Sequence, residues 1–179
     1  MRSHGMLGKN VLVIGANRGI GMNLMREFVK RGWTVHETIR PQPKDDPSVQ
    51  ELVATGATVL EADYVDQYTI IKAAGSYGNK PLDRMVYCGA NEWGGLLGYR
   101  MAKCTLNQQM KTIAQAFKAG DDRLNFLALE PGHLPTSLTG WKGEDDMETS
   151  NKGMVDISER ADYANTGNFY SYTGKQLEY

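Results

Sequence analysis

The chain has 179 residues, 41% of them hydrophobic, and a formal net charge of -1. That length suits one domain, 1–179, with a sizeable core, and the near-neutral balance offers no electrostatic argument for binding nucleic acid or an anionic membrane. No apolar run approaches the roughly 20 residues that cross a bilayer, and MRSHGMLGKN lacks a signal peptide's apolar stretch, so the expectation is a cytoplasmic protein. Cys88 and Cys104 sit in apolar segments and read as buried thiols of a reducing compartment.

NVLVIG (10–15) is a short β-branched run ending in Gly, which predicts a buried strand. Ile20, Leu24 and Phe28 then recur every four residues, with KRG closing an amphipathic helix at Gly32. WTVHETI (33–39) predicts a second strand, and the proline-rich PQPKDDP a surface loop. SVQE (48–51) matches a capping box opening a short helix that Gly56 ends. ATVLEA (57–62) is a third strand, and Ile70, Ile71 and Ala74 mark a helix. DRMVYCG (83–89) is a fourth strand. Leu106, Met110, Ile113 and Phe117 form a helical stripe within 99–119, and RLNFLALE (123–130) is a fifth strand. A broken helix around 145–160 and a last strand, NFYSY (168–172), follow. Strands alternating with helices predict an α/β chain, a Rossmann-like doubly wound parallel sheet of about six strands.

GANRGIG places Gly15, Gly19 and Gly21 between the first strand and the first helix. There, backbone N–H groups and the positive helix end can hold a pyrophosphate. Gly15 permits the tight turn, Gly19 the close approach of phosphate, and Gly21 the packing of helix on strand. The bland alternative is an ordinary glycine-rich turn. At the end of the second strand an NAD site carries an acid for the ribose 2′-OH. Here Ile39 and Arg40 stand at that place, and Arg18 lies in the glycine loop. Two guanidiniums suit a 2′-phosphate, so NADP(H) is the expected cofactor. Glu37 reverses this expectation if the register is shifted.

These residues resemble the short-chain dehydrogenase/reductase family, its C-factor-like carbonyl reductase branch in particular. GANRGIG is similar to the family's cofactor loop, which implies cofactor contacts from Gly15, Asn17, Arg18, Gly19, Ile20 and Gly21. EADYVD carries Asp63, with Tyr64, where the family contacts the adenine. VYCGAN, with Gly89, stands in place of an Asn-Asn-Ala-Gly turn. YRMAKCTLN matches the active-site pattern Y-x-x-x-K in Tyr99 and Lys103. PGHLPT matches the loop that holds the nicotinamide amide, implying roles for Pro131, Gly132, Leu134 and Thr136. TGNFYSYTGKQLEY is similar to the family's C-terminal strand and tail. The resemblance implies that Tyr99 is the acid–base residue and that Lys103 supports it and bonds the nicotinamide ribose. Physically, residues four apart share one helix face, and an ammonium beside a phenol favours phenolate, which makes Tyr99 a usable proton donor.

The resemblance also shows a gap. The family order after the fourth strand is an Asn-bearing helix, a fifth strand, a catalytic Ser, then Y-x-x-x-K. From Asn91 to Tyr99 this chain has only EWGGLLG between. A helix and a strand cannot fit, so the chain is one strand–helix unit shorter, and of four expected catalytic residues Tyr99 and Lys103 remain. The expected repair is a direct crossover, with 123–130 pairing in parallel beside 83–89. Asn91, Glu92 and His133 are the candidates to orient a carbonyl in place of Ser. The leading reading is an NADP(H)-dependent oxidoreductase acting on a small-molecule carbonyl or alcohol. The alternatives are a non-redox isomerase, cyclase or lyase using Tyr99, Glu92 and His133 in a pocket shaped by Trp93, Trp141 and the tyrosines, or a non-catalytic NADP-binding protein. Because the family often dimerises through the altered region, any homo-oligomer is expected to use a non-standard interface. No metal site is expected.

Overall fold

The computed structural model describes residues 9–43, 45–63, 66–88, 96–119 and 125–179, with only the backbone of 96–102, 118 and 119. The chain divides into two compact units, Met1–Gly89 and Ala90–Tyr179.

In the first unit, β1 (Asn10–Ile14), β2 (Thr34–Ile39), β3 (Thr58–Glu61) and β4 (Arg84–Tyr87) form a parallel sheet in the order β3-β2-β1-β4. α1 (Gly19–Lys30), α2 (Pro47–Ala54) and α3 (Gln67–Tyr77) connect them, as parallel neighbours require a crossover. Val11 and Val13 are fully buried, and β2 is buried from Val35 to Ile39. Burial on both faces is why these strands read as continuous apolar or β-branched runs rather than alternating ones. α1 turns Met22, Leu24, Met25 and Phe28 inward, and the Phe28 ring meets Trp33 edge-on at 5.2 Å. On the sheet's other face Leu60, Ala62 and Ala73 pack with Leu12 and Tyr77.

Two local expectations shift. α2 is capped by Asp46, whose carboxylate accepts the Ser48 N–H at 2.8 Å, with Pro47 in the first turn, rather than by a box at 48–51. Aspartate ahead of proline is the stronger start: it satisfies an exposed amide, while proline has no N–H to satisfy and a preset φ. In α3, Ile70 and Ile71 are exposed and Ala73 is the buried residue.

The second unit contains α4 (Leu96–Ala119), β5 (Leu127–Glu130), α5 (Met147–Arg160), β6 (Asn168–Ser171) and β7 (Gln176–Leu177). β5 pairs in parallel with β6, and β6 antiparallel with β7. β7 has two residues, too few to carry a periodic signal. α5 is unbroken over 14 residues. Gly153, which argues for a break in the sequence, marks a close approach instead: a Cβ there would lie 2.1 Å from the Tyr172 carbonyl oxygen. On α4, Ala114 is buried but Ile113 is exposed. Cys104 is exposed and Cys88 half-buried, so neither is the fully buried thiol expected.

The ladders of the first unit form a sheet of four strands and those of the second a sheet of three. Within the first unit β4 pairs with β1, and within the second β5 pairs with β6.

Candidate functional site

At the end of β1 the Gly15 N–H donates to the Thr38 carbonyl at 3.0 Å, and Gly15 has φ +82°. Arg18 is extended, no side chain caps α1, and its first turn carries no acid. The first amides of a helix have no partner within it, and the dipole adds partial positive charge there, so this end of α1 favours an anion. The glycines divide the work. A Cβ on Gly21 would lie 2.4 Å from the Gly15 carbonyl oxygen, so Gly21 lets the helix sit on the loop. At Gly19 the backbone is left-handed at φ +56°, and nothing lies within 4 Å of where a Cβ would point. Open space directly above helix amides is what a pyrophosphate needs. Asn17 and Ile20 are half-buried and Arg18 exposed.

Ile14 lies opposite Thr38 in the β1–β2 ladder, so Arg18 and Arg40 follow the ends of neighbouring strands. Arg40 is exposed, directly after Ile39. Glu37 lies inside the sheet, opposite Val13 on one side and Val59 on the other. It is 0% exposed, and neither carboxylate oxygen has a hydrogen-bond partner among the described residues. Burial raises its pKa from 4.5 to about 7. A side chain so placed cannot reach a ribose, so the register that sets Arg40 at the strand end holds. Asp63, half-buried after β3, donates its amide to Thr69 Oγ1 at 2.8 Å. Tyr64 and Gly89 lie outside the described residues.

In the second unit, loop 131–136 leaves β5 under close control. Gly132, at φ +83°, donates its amide to Glu130 Oε1 at 2.8 Å. The His133 amide donates to Asp145 Oδ2 at 2.6 Å, and the Asp145 amide returns a bond to the His133 carbonyl at 3.1 Å. The Tyr172 hydroxyl donates to Asp145 Oδ1 at 2.7 Å. That bond, with the His133 amide, holds the Asp145 carboxyl below its ordinary pKa and pushes the Tyr172 phenol up. Ser150 Oγ donates to the Pro131 carbonyl at 2.6 Å, and the Thr136 amide donates to Thr139 Oγ1 at 3.0 Å. The side chain of Leu134 is buried in the unit's core, whereas Thr136 is half-buried. Asp145 and Tyr172 carry no motif. Asp145 stands in GEDDM, which sequence alone marks only as a helix start, and its partners lie 12 and 27 residues away.

Tyr99 and Lys103 both lie on α4; Lys103 is half-buried, and the side chain of Tyr99 lies outside the described residues. So do Asn91, Glu92 and Trp93. His133 is exposed. Trp141 is 72% exposed at φ +65°, so it shapes no apolar pocket, contrary to the non-redox reading. It follows the 3-10 turn Ser137–Thr139. An open concavity of about 690 Å³ runs along α4, lined by Cys104, Thr105, Gln108, Gln109, Thr112 and Ile113, none of them a candidate site residue. No group of metal-ligating side chains occurs among the described residues, and none of their helices is long and apolar enough to cross a membrane.

No family model matches the sequence, and no curated protein matches it either. Solved structures do. NADPH-bound carbonyl reductase from chicken fatty liver superposes with a TM-score of 0.82 at 18% identity, covering 96% of this chain and 99% of that one. A protein from Burkholderia multivorans with bound NADP, described as a short-chain dehydrogenase/reductase, gives 0.81 at 19%, with coverage of 96% and 100%. The carbonyl reductase Sniffer of D. melanogaster gives 0.78 at 17%, also with 96% and 100%. The chain therefore has the fold of the short-chain dehydrogenases/reductases, its carbonyl reductases included.

Proposed function

We propose that this chain binds NADP(H) and acts as an oxidoreductase on a carbonyl/alcohol pair. The observation that carries the reading is the rim of the first unit's sheet. An uncapped α1 N-terminus lies under open space at Gly19, Arg40 follows β2, and the one acid of that strand is sealed in the core. That rim offers donors and positive charge to a phosphorylated adenosine and no carboxylate on β2 to a bare ribose. Solved structures of the same fold with NADPH or NADP bound support the choice.

In this reading Gly15, Asn17, Arg18, Gly19, Ile20 and Gly21 hold the pyrophosphate and Arg40 the 2′-phosphate. Asp63 and Tyr64 hold the adenine. Gly89, Lys103, Pro131, Gly132, Leu134 and Thr136 serve the nicotinamide end. When bound, the cofactor supplies hydride. Tyr99 gives the carbonyl oxygen its proton, and Lys103, one helical turn on, supports it. The catalytic Ser of the resembled family has no counterpart in this chain, so simple ketones are reduced poorly: one lost preorganised donor costs about 10²–10³ in rate. A substrate that brings its own orienting groups recovers part of that loss.

The test is a titration of NADPH and NADH into the protein, followed by NADPH oxidation over a panel of ketones and aldehydes. Preferential NADPH binding with turnover of some carbonyl compound supports the reading. Binding without turnover leaves a non-catalytic NADP-binding protein, and failure to bind either cofactor defeats both.

A further inference from the structure

We infer that Asp145 and Tyr172 are positioning residues: a latch that sets loop 131–136 and thereby determines how tightly the nicotinamide end of the cofactor is held. The inference rests on the cofactor reading above, and it names residues to which no motif of the resemblance assigns a role.

The argument is one of convergence. Asp145 uses both carboxylate oxygens, one for the His133 amide and one for the Tyr172 hydroxyl, and it adds a main-chain bond to the His133 carbonyl. Tyr172 is itself anchored to the strand from which the loop departs, since its amide donates to the Glu130 carbonyl at 2.9 Å. The latch therefore ties the loop's third residue to its own root. The fit admits no slack. A Cβ on Gly132 would lie 2.6 Å from Asp145 Oδ2 and 2.9 Å from the Tyr172 ring. A Cβ on Gly143 would lie 2.0 Å from the Leu134 carbonyl carbon. Three glycines, 132, 143 and 153, thus leave room for loop, latch and α5 to close on one another. The latch itself touches main chain and phenol and presents no free carboxylate oxygen. Its effect on a ligand therefore acts through the loop. Holding a loop in its binding conformation raises affinity by removing the ordering cost that a slack loop pays on binding.

The test separates the two ends of the cofactor. NADPH needs the loop; adenosine 2′,5′-bisphosphate carries the 2′-phosphate and adenosine but no nicotinamide. Asp145→Ala and Tyr172→Phe are expected to weaken NADPH about tenfold, roughly what one lost hydrogen bond is worth, and to leave the bisphosphate unchanged. Asp145→Asn can still accept the His133 N–H and donate to the Tyr172 oxygen, so it should restore NADPH binding. Amide exchange at His133 in the ligand-free protein should quicken in Tyr172→Phe, which keeps the ring and the fold even if Asp145→Ala does not. Equal losses for both ligands, or none for NADPH in Tyr172→Phe, overturn the latch while leaving the cofactor reading intact. A wild type that binds neither ligand overturns both.

Discussion

The two units do different work with different materials. The first builds the rim proposed to hold the cofactor from main chain: Gly15, Gly19 and Gly21, a helix start and the ends of two strands, over a sheet whose second strand is buried along five of its six residues. The second depends on side chains meeting across long separations. Its loop is held by Asp145 and Tyr172, its strands β5 and β6 are half-buried throughout, and α4 leaves Cys104, Gln108 and Ile113 exposed. A cradle made of main chain and glycine depends only on neighbouring residues, whereas a loop set by Asp145 and Tyr172 depends on groups far apart in sequence.

The hardest test of this contrast is Tyr99→Phe. If the second unit retains working chemistry, turnover of the best carbonyl substrate should fall by about 10²–10⁴-fold, the usual worth of a positioned proton donor, with NADPH affinity nearly unchanged. Steady-state NADPH oxidation measures it, and turnover equal to wild type would put the chemistry elsewhere.

Next in size is the buried charge of the first unit. The folded pKa of Glu37 is about 7, against 4.5 for a free side chain, so the folded state holds a proton that the unfolded state releases. The contribution of Glu37 is full below pH 4.5 and is lost as pH rises towards about 7, on the order of 3 kcal/mol in all. On α1, Arg26 pairs with Glu51 and Arg31 with Glu27. His36 pulls the other way. Burial, then Lys80, lowers its pKa, so its contribution is lost as pH falls. Comparing chemical denaturation of wild type and Glu37→Gln across pH 4 to 9 isolates the glutamate. The variant should gain relative stability as pH rises, and parallel curves would show that Glu37 does not titrate in the fold.

The third test concerns Arg40. Arg40→Ala should weaken NADPH by about 10- to 100-fold, the loss of a charged hydrogen bond worth about 1.5–3 kcal/mol, and spare NADH. Equal losses for the two would remove the 2′-phosphate from the account. The smallest effect is expected from Gly19→Ala. At φ +56° a side chain costs about 1–2 kcal/mol of stability, readable in thermal unfolding, and the added methyl points into the space assigned to pyrophosphate. Gly19→Val therefore lowers stability as well as binding.

Much of this was legible before any coordinates. Six expected strands appear close to their expected bounds, because runs such as NVLVIG and ATVLEA carry their own period and their own stop signals. The glycine loop was legible for the same reason: its conformation is a property of seven consecutive residues. The replacement of an acid by Ile39 and Arg40 at the end of β2 was also visible, and the inward Glu37 removed the doubt about register. What could not be read is what depends on partners distant in sequence. Asp145 meets Tyr172 across 27 residues. Sequence by itself determined the elements, the glycine loop and the place of Tyr99 and Lys103 on one helix, since each follows from spacing within a few turns of chain. Tertiary structure decided that Glu37 lies sealed, with no hydrogen-bond partner among the described residues, and it decided that loop 131–136 is latched. Those outcomes turn on which surfaces exclude water and which backbones match in register, and no local stretch of sequence encodes either.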